Sequence, residues 1–551
     1  MTQLLNALKQ NSLVENSKGG LYNPTSWNAN LDFFSGISRG SGFDAIRLFN
    51  NAYEEDRRLA LANLLYVLDI RGGKGERAVF KNVFTSLCID HPEDAVLVMH
   101  QIPELGRWDY VLCALNTPVE QEAVNMISAQ LAQDLNAEHP SLLAKWLPSV
   151  RTHNVDNMTA LALAEKLGMT PKKYRKTLAE LRSKINIVEK PMTEKRYDVI
   201  DFEHVPTKAM LKYRKAFDRN ATAAYGEYLD SVKAGEKKIN TTGMYCYEII
   251  RECVKELCTY EHNPENIALL DQMWKNQKDF LAGNDTNVLV MADTSGSMTS
   301  TLNSPVPPLW NSIGLAIYTA QRNHGYFHNH FMTFSANPMI QEIRGETILD
   351  IFDNIRMIND YTDVDAAFEL LLNTAKENSI PQEDMPSHLI IISDMEFDEG
   401  TMSHGNTNFH GWKKAFKEAG YTLPRIVFWN VAGNPGGMPA TKFDNDVAMI
   451  SGFNTSILDN ILKIENFDPV NVMTETLAPY LAIVDRASPS RPLNDQGSCG
   501  LFPEEVRSKM IEEKEDEKQE VATSSVSEST VTVEESQDTK EEEESSNAEQ
   551  S

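Results

Sequence analysis

The sequence predicts a chain of α + α/β class: an N-terminal α-helical repeat module of HEAT-like type, then a doubly wound and mostly parallel sheet domain, then an acidic tail. Three observations carry this prediction. Apolar residues recur at three- and four-residue steps from about Leu31 to Trp274, and short β-rich apolar runs alternate with helical stretches from about Asn284. After Glu504 aromatic residues give way to Ser, Thr and Glu.

The helical half is read from stretches such as "AIRLFNNAYEEDRRLALANLLYVLDI" and "VEQEAVNMISAQLAQDLNA", each with one apolar face. Breaks at "RGGKGE", "HPED", "IPELGRWD", "EHP", "GMTPKKY" and "FEHVPTKA" cut these stretches into helices of ordinary length. The expected organisation is an N-terminal extension over 1–30 and helical hairpins over 31–284. No clean sequence period marks a regular repeat.

The sheet domain is predicted over 285–465, on the runs "NVLVMA", "HFMTFSA", "SHLIIIS", "RIVFWNV" and "VAMISG". Most of them are nearly continuously apolar, as strands covered on both faces must be. Helical segments fall between them, near 306–322, 346–357, 364–377, 408–419 and 454–464, so right-handed βαβ units and a parallel sheet follow. A further packing helix is expected within 466–503, and 504–551 is expected to be a disordered acidic tail.

Formal net charge is −27, yet about 17 acidic against about 5 basic side chains lie after Glu504, while residues 1–280 hold about 35 basic and about 36 acidic. The bulk charge therefore does not exclude an anionic partner for the helical half. Six cysteines follow neither a disulfide framework nor the paired spacing of a structural zinc site. No apolar run approaches the length of a membrane span, and no secretory leader pattern opens the chain. A cytoplasmic monomer with no membrane association is the expectation.

In a doubly wound sheet, ligands gather beyond the carboxyl ends of the strands. The run "VLVMAD" ends there and continues as D-x-S-x-S, with Asp293, Ser295 and Ser297 alternating along a turn around Gly296. The same edge is expected to supply Thr362 and Asp363 from "NDYTDVD", and Asp394 from the end of "LIIISD". Hard oxygens converging in this way suit Mg²⁺, or Mn²⁺ or Ca²⁺. Strand, D-x-S-x-S, Thr-Asp turn, then a strand ending in Asp resembles the von Willebrand factor A (vWA) domain and its metal-ion-dependent adhesion site. The resemblance implies Ser295, Ser297 and Thr362 as direct ligands, Asp293 and Asp394 acting mostly through water, and an open position for a partner's carboxylate. Glu396, Asp398 and Glu399 of "DMEFDEG" are read as a solvated loop, and His404 and His410 of "SHGNTNFHGW" as a polar surface loop.

Cations are locally dense in the helical half. "KLGMTPKKYRKTLAELRSKINIVEK" carries Lys172, Lys173, Arg175, Lys176, Arg182 and Lys184, while "KAMLKYRKAFDRN" carries Lys208, Lys212, Arg214 and Lys215, with Tyr174 and Tyr213 interleaved. Such faces supply salt-sensitive phosphate contacts. In "RGGKGER", Arg71, Lys74 and Arg77 are candidate anion ligands, although the stretch lacks the P-loop pattern.

These stretches, with "LAKWLPS" and the A-type domain after them, resemble an uncharacterised family related to the TROVE module, whose relatives include Ro-type proteins. The resemblance implies a non-enzymatic scaffold in which helical repeats close through the A domain and bind structured or single-stranded RNA. The alternative is an adaptor that uses the metal site to capture an acidic protein, an AAA-type ATPase being one such partner, with no RNA. Hydrolytic chemistry is disfavoured, because no acid and base flank an activated nucleophile.

Overall fold

The computed structural model describes residues 13–16, 19–39, 44–150, 156–185, 187–283, 286–301, 306–334, 337–357, 363–397, 407–433 and 437–487. All of them lie in one compact unit. Helices fill the chain from Ala29–Gly36 to Pro264–Lys275, and the strands of the main sheet begin at Val288.

Eight strands are present among the described residues. A short antiparallel pair, β1 (Val14–Glu15) and β2 (Leu21–Tyr22), stands apart from the main sheet. That sheet comprises β3 (Val288–Asp293), β4 (His330–Phe334), β5 (Met339–Glu342), β6 (His388–Ser393), β7 (Arg425–Asn430) and β8 (Val447–Ser451), in the order β5-β4-β3-β6-β7-β8. Every pairing is parallel except β4 with β5. β3, β6 and β8 are buried along their whole length, which explains why they read as continuous apolar runs.

β5 was not expected from the sequence. Its "MIQE" is half exposed and alternating, as suits an antiparallel edge strand on an otherwise parallel sheet. The region predicted as one helix over 454–464 is instead a 3₁₀ turn, Thr455–Ile457, followed by the single turn Leu458–Ile461.

Helices cover both faces of the sheet. Val364–Glu377 and Asn408–Glu418 bring Phe368 and Trp412 into a stack at 3.8 Å, with Trp412 leaning on Phe428 of β7. Pro308–Arg322 packs on the central strands, where Ser312 Oγ donates to the Ile392 carbonyl at 3.3 Å.

The helical module touches the sheet domain at both ends. Ala29–Gly36 packs on β8, and Cys246–Leu257 packs on Pro308–Arg322, where a Cβ on Gly314 would stand 3.0 Å from that of Cys246. Pro264–Lys275 is fastened by Trp274 Nε1 donating to Gln321 at 2.7 Å and by the Asp271 carboxylate accepting from Ile348 N at 3.2 Å. The last helix, Pro469–Ala487, lies within the span expected for a packing helix and runs against Arg57–Leu68 and Ala29–Gly36.

The segment before Ala29 also engages the sheet domain. Asn23 and Met438 exchange backbone bonds at 3.0 and 2.8 Å, and the Tyr22 hydroxyl accepts from Phe397 N at 2.8 Å. Among the described residues no helix is long and apolar enough to cross a membrane. The described cysteines Cys88, Cys113, Cys246, Cys253 and Cys258 are free.

Candidate metal centre and basic surfaces

Parallel register places the carboxyl ends of β3 and β6 side by side, with Ala292 opposite Ile392. Asp293 therefore closes β3 next to Ser393 and Asp394. One Asp293 carboxylate oxygen accepts from Ser295 N at 2.8 Å and the other from Ser393 Oγ at 2.6 Å. The first bond bends the chain into the turn Gly296–Thr299, where the Ser295 and Ser297 hydroxyls lie 3.1 Å apart. After β6, Met395 takes φ 66, a left-handed conformation that a side chain rarely adopts, and its N–H bonds to Ser393 Oγ at 3.1 Å. That turn sets Asp394 beside Asp293, with Glu396 N donating to it at 3.0 Å.

Asp293 is fully buried and Asp394 nearly so. Burial, and then the Asp394 carboxylate, push Asp293 up to about 7. Two buried carboxylates side by side, rimmed by two hydroxyls, form a donor set chemically suited to a hard divalent cation. The structure brings together Asp293, Ser295, Ser297 and Asp394, whereas Thr362 lies outside the described residues. Asp363, next to it, caps Val364–Glu377 by accepting from Ala366 N at 2.9 Å. Among the described residues no group of three or more His, Cys, Asp or Glu side chains is placed to hold a metal, so any ion here must draw on hydroxyls. Ser393 was missed by the sequence reading, although it immediately precedes Asp394 in "IIISD".

Asp398, Glu399 and His404 lie outside the described residues, and Glu396 is half-buried. His410 sits on Asn408–Glu418 and is held between Thr407 at 2.8 Å and Asp444 at 3.0 Å.

The candidate phosphate ligands divide sharply. Lys74 is a correction, being 1 % exposed, with Nζ donating to the Phe34 carbonyl, to the Ile37 carbonyl at 3.2 Å and to Ser451 Oγ at 2.6 Å. It fastens the first helix to the end of β8 and is closed to any phosphate. The glycines around it serve close packing. A Cβ on Gly73 would stand 2.1 Å from the Tyr66 carbonyl, and one on Gly75, at φ +62, would stand 2.2 Å from the Tyr245 hydroxyl.

Arg182 is a second correction, its guanidinium donating to Ala144 O, Ser149 Oγ and Leu147 O at 2.7, 2.7 and 2.8 Å. Arg214 is a third. It is spent on the buried Glu252 at 2.8 Å and on the Leu211 carbonyl. Lys208 pairs with Glu248 at 3.0 Å, Lys184 donates to Leu135 O at 2.9 Å, and Arg71 donates to Glu104 O at 3.0 Å.

Lys172, Arg175 and Lys176 are exposed on Pro171–Lys184 at i, i+3 and i+4, hence on one face, and Lys173 beside them is half-buried. Lys212 and Lys215 are exposed on Thr207–Asn220, and Arg77 is exposed at the start of Arg77–Asp90. Burial first, and then the charges of Arg77 and Arg39, lower the Lys208 ammonium, so "RGGKGER" and "VPTKAMLKYRK" converge in space. Tyr174 is not a stacking platform, because it is buried with its hydroxyl on Pro148 O at 2.9 Å.

Sheet order, crossover helices and a D-x-S-x-S turn at the carboxyl edge define a vWA-type α/β domain carried on a helical module. Two domain-family models match in sequence, a domain of unknown function (DUF2828) over 164–284 and another (DUF7788) over 287–483, and they meet where helices give way to strands. Uncharacterized protein L728 of Acanthamoeba polyphaga mimivirus is 29% identical over 506 residues, covering 83% of this chain and 86% of its own. Among solved structures, the Deinococcus radiodurans Ro (RSR) protein aligns at 12% identity over 80% of this chain and 92% of its own, with a TM-score of 0.38.

Proposed function

We propose that the chain is a non-enzymatic RNA-binding scaffold whose helical module grips RNA phosphates and whose sheet domain carries a divalent-cation site. The observation that carries the RNA reading is the row Lys172, Arg175 and Lys176. Three cations share one exposed helix face, and none is paired with a carboxylate among the described residues. Other cations of the module are spent on carboxylates: Arg57 on Asp94, Lys166 on Glu120, Arg214 on Glu252. An unpaired row costs little in water and gains most from a polyanion that releases counterions. Lys212 and Lys215 extend the same chemistry, and the motif resemblance to the TROVE module points the same way.

Reversing the row as Lys172→Glu, Arg175→Glu and Lys176→Glu is expected to weaken a structured RNA at least tenfold in mobility-shift titrations. The salt slope is expected to fall by about 3, about one for each phosphate contact removed. Equal affinity and slope for the variant and the native chain reject the row.

The cation site rests on Asp293, Ser295, Ser297 and Asp394, with Mg²⁺ as the ion of first choice. When bound, the ion supplies an electrophilic position at which a partner's carboxylate is captured. The chain's own groups orient that position: Ser393 and the Ser295 amide hold Asp293 fixed, and Ser297 stands half exposed at the rim. This geometry favours, as a second reading, a protein adaptor that captures an acidic partner and binds no RNA. Mg²⁺ at 100 times its Kd is expected to add about 2.7 kcal/mol to stability, read as a rise in Tm. Asp293→Ala combined with Ser295→Ala is expected to abolish the rise, and a native chain that melts identically with and without the ion sinks the assignment.

A further inference from the structure

A cleft of about 830 Å³ opens where four parts of the chain converge. Its walls come from the loop after Arg57–Leu68, the segment 238–245, the segment 276–280, and the residues after β8 together with Pro469–Ala487. Neither the metal centre nor the Lys172 row contributes to it. The volume lies within the range of small-molecule sites, roughly 300–1,000 Å³.

Charge in the walls is unbalanced. Arg71, Lys238 and Lys278 face two carboxylates, Asp69 and Asp459, and both carboxylates are already occupied. Asp69 accepts from the Tyr480 hydroxyl and from Arg71 N, each at 2.8 Å, while Asp459 holds Lys463 at 2.7 Å. Lys278 reaches Asp459 only at 4.0 Å, and Lys238 has no ion pair among the described residues. Among the described residues Arg71 holds a carbonyl and no carboxylate. The remaining lining is of two kinds. Asn240, Asn276 and Gln277 offer amide donors and acceptors, and Leu105, Phe280 and Ile483 offer apolar contact.

An anion-seeking group of cations, amides and an apolar wall within one cleft matches a ligand with a phosphate at one end and a flat, hydrogen-bonding body at the other. We propose that this cleft binds a nucleoside monophosphate, its phosphate held by Arg71, Lys238 and Lys278. The occupant would touch the beginning of the helical module, its end, and the sheet domain at once, so its binding tightens the closure between them. This goes beyond the RNA reading and uses a separate set of residues.

The test is calorimetric titration of the full chain with 5′-AMP, 5′-GMP, 5′-CMP and 5′-UMP, alongside adenosine and inorganic phosphate. At least one nucleotide is expected to bind, tenfold or more tighter than phosphate and than adenosine. Arg71→Ala with Lys238→Ala is expected to weaken it at least tenfold, and Ile483→Trp, which fills the cleft, to do the same with an unchanged circular dichroism spectrum. The Lys172, Arg175 and Lys176 reversals are expected to leave nucleotide binding unaltered, which separates this result from failure of the RNA reading. Absence of heat with every nucleotide at millimolar concentration overturns the proposal. Phosphate binding as tightly as the nucleotides also overturns it, as does nucleotide binding that survives both cleft variants.

Discussion

Arg39→Met is expected to destabilise the chain by about 3–5 kcal/mol, the cost of removing one partner from a buried ion pair. Arg39 lies 3.4 Å from the Glu76 carboxylate, and the two side chains are 18% and 3% exposed. Its guanidinium also stands 5.2, 4.7 and 4.6 Å from the rings of Tyr245, Tyr247 and Phe453, and it donates to the Tyr247 hydroxyl. Glu76 immediately precedes Arg77–Asp90, the two tyrosines begin the Cys246–Leu257 region, and Phe453 follows β8. One planar cation therefore joins the start of the helical module, its end, and the sheet domain. Burial already pushes Glu76 above the ordinary carboxylate range, against the pull of Arg39 and Lys74. Without Arg39 that opposition weakens and an uncompensated carboxylate is left in the interior.

The double variant Arg39→Met with Glu76→Gln is expected to recover part of the loss, with a coupling energy of about 1–3 kcal/mol in urea denaturation. Arg39→Lys is not expected to substitute, because an ammonium cannot stack flat against three rings and hold a carboxylate together. A loss under about 1 kcal/mol for Arg39→Met removes the argument that this junction closes the helical module on the sheet.

The sheet was legible in the sequence because burial on both faces writes itself as uninterrupted apolar runs, and β3, β6, β7 and β8 are such runs. The ends of those runs located Asp293 and Asp394 without any structure, since parallel strands deliver their carboxyl ends to one edge. Pairings that extend over two residues leave no period to read. For that reason the antiparallel turn before Ala29 and the Asn23 to Met438 bridge were invisible.

Charge was legible, but its use was not. Arg182 and Arg214 read as surface cations because the carbonyls at 144 and 147 and the carboxylate of Glu252 that bind them are 35 to 38 residues away in sequence. "RGGKGER" read as an anion loop for the same reason. Only the fold reveals that its glycines make room for Tyr66 and Tyr245 and that its lysine points inward.

That lysine sets the second large expectation, a stability that climbs with pH. Burial lowers Lys74 from an ordinary 10.5 to about 7, while the nearby Glu76 acts in the opposite sense. Between about 7 and 10.5 the unfolded chain therefore binds more protons than the folded one, and unfolding free energy rises with pH by up to about 1.4 kcal/mol per unit. The facing groups bound that window. Glu76, raised by its own burial, acts in the opposite sense, because stability falls as pH climbs from its ordinary value to its raised one. Tyr66 and Tyr245, both raised by burial, keep their protons longer when folded and reverse the slope only above about 10. Arg39 stays charged throughout.

Lys74→Met removes the titrating group, and Ser451 Oγ, 2.7 Å from the Ile37 carbonyl and 3.0 Å from that of Phe34, keeps its one proton for one of the two once the ammonium is gone. From pH 7 to 9.5 the native chain is expected to gain about 3 kcal/mol on the variant, read from urea midpoints at each pH. Curves that run parallel across that interval place the proton of Lys74 elsewhere and make its three acceptors a sufficient solvent for the charge.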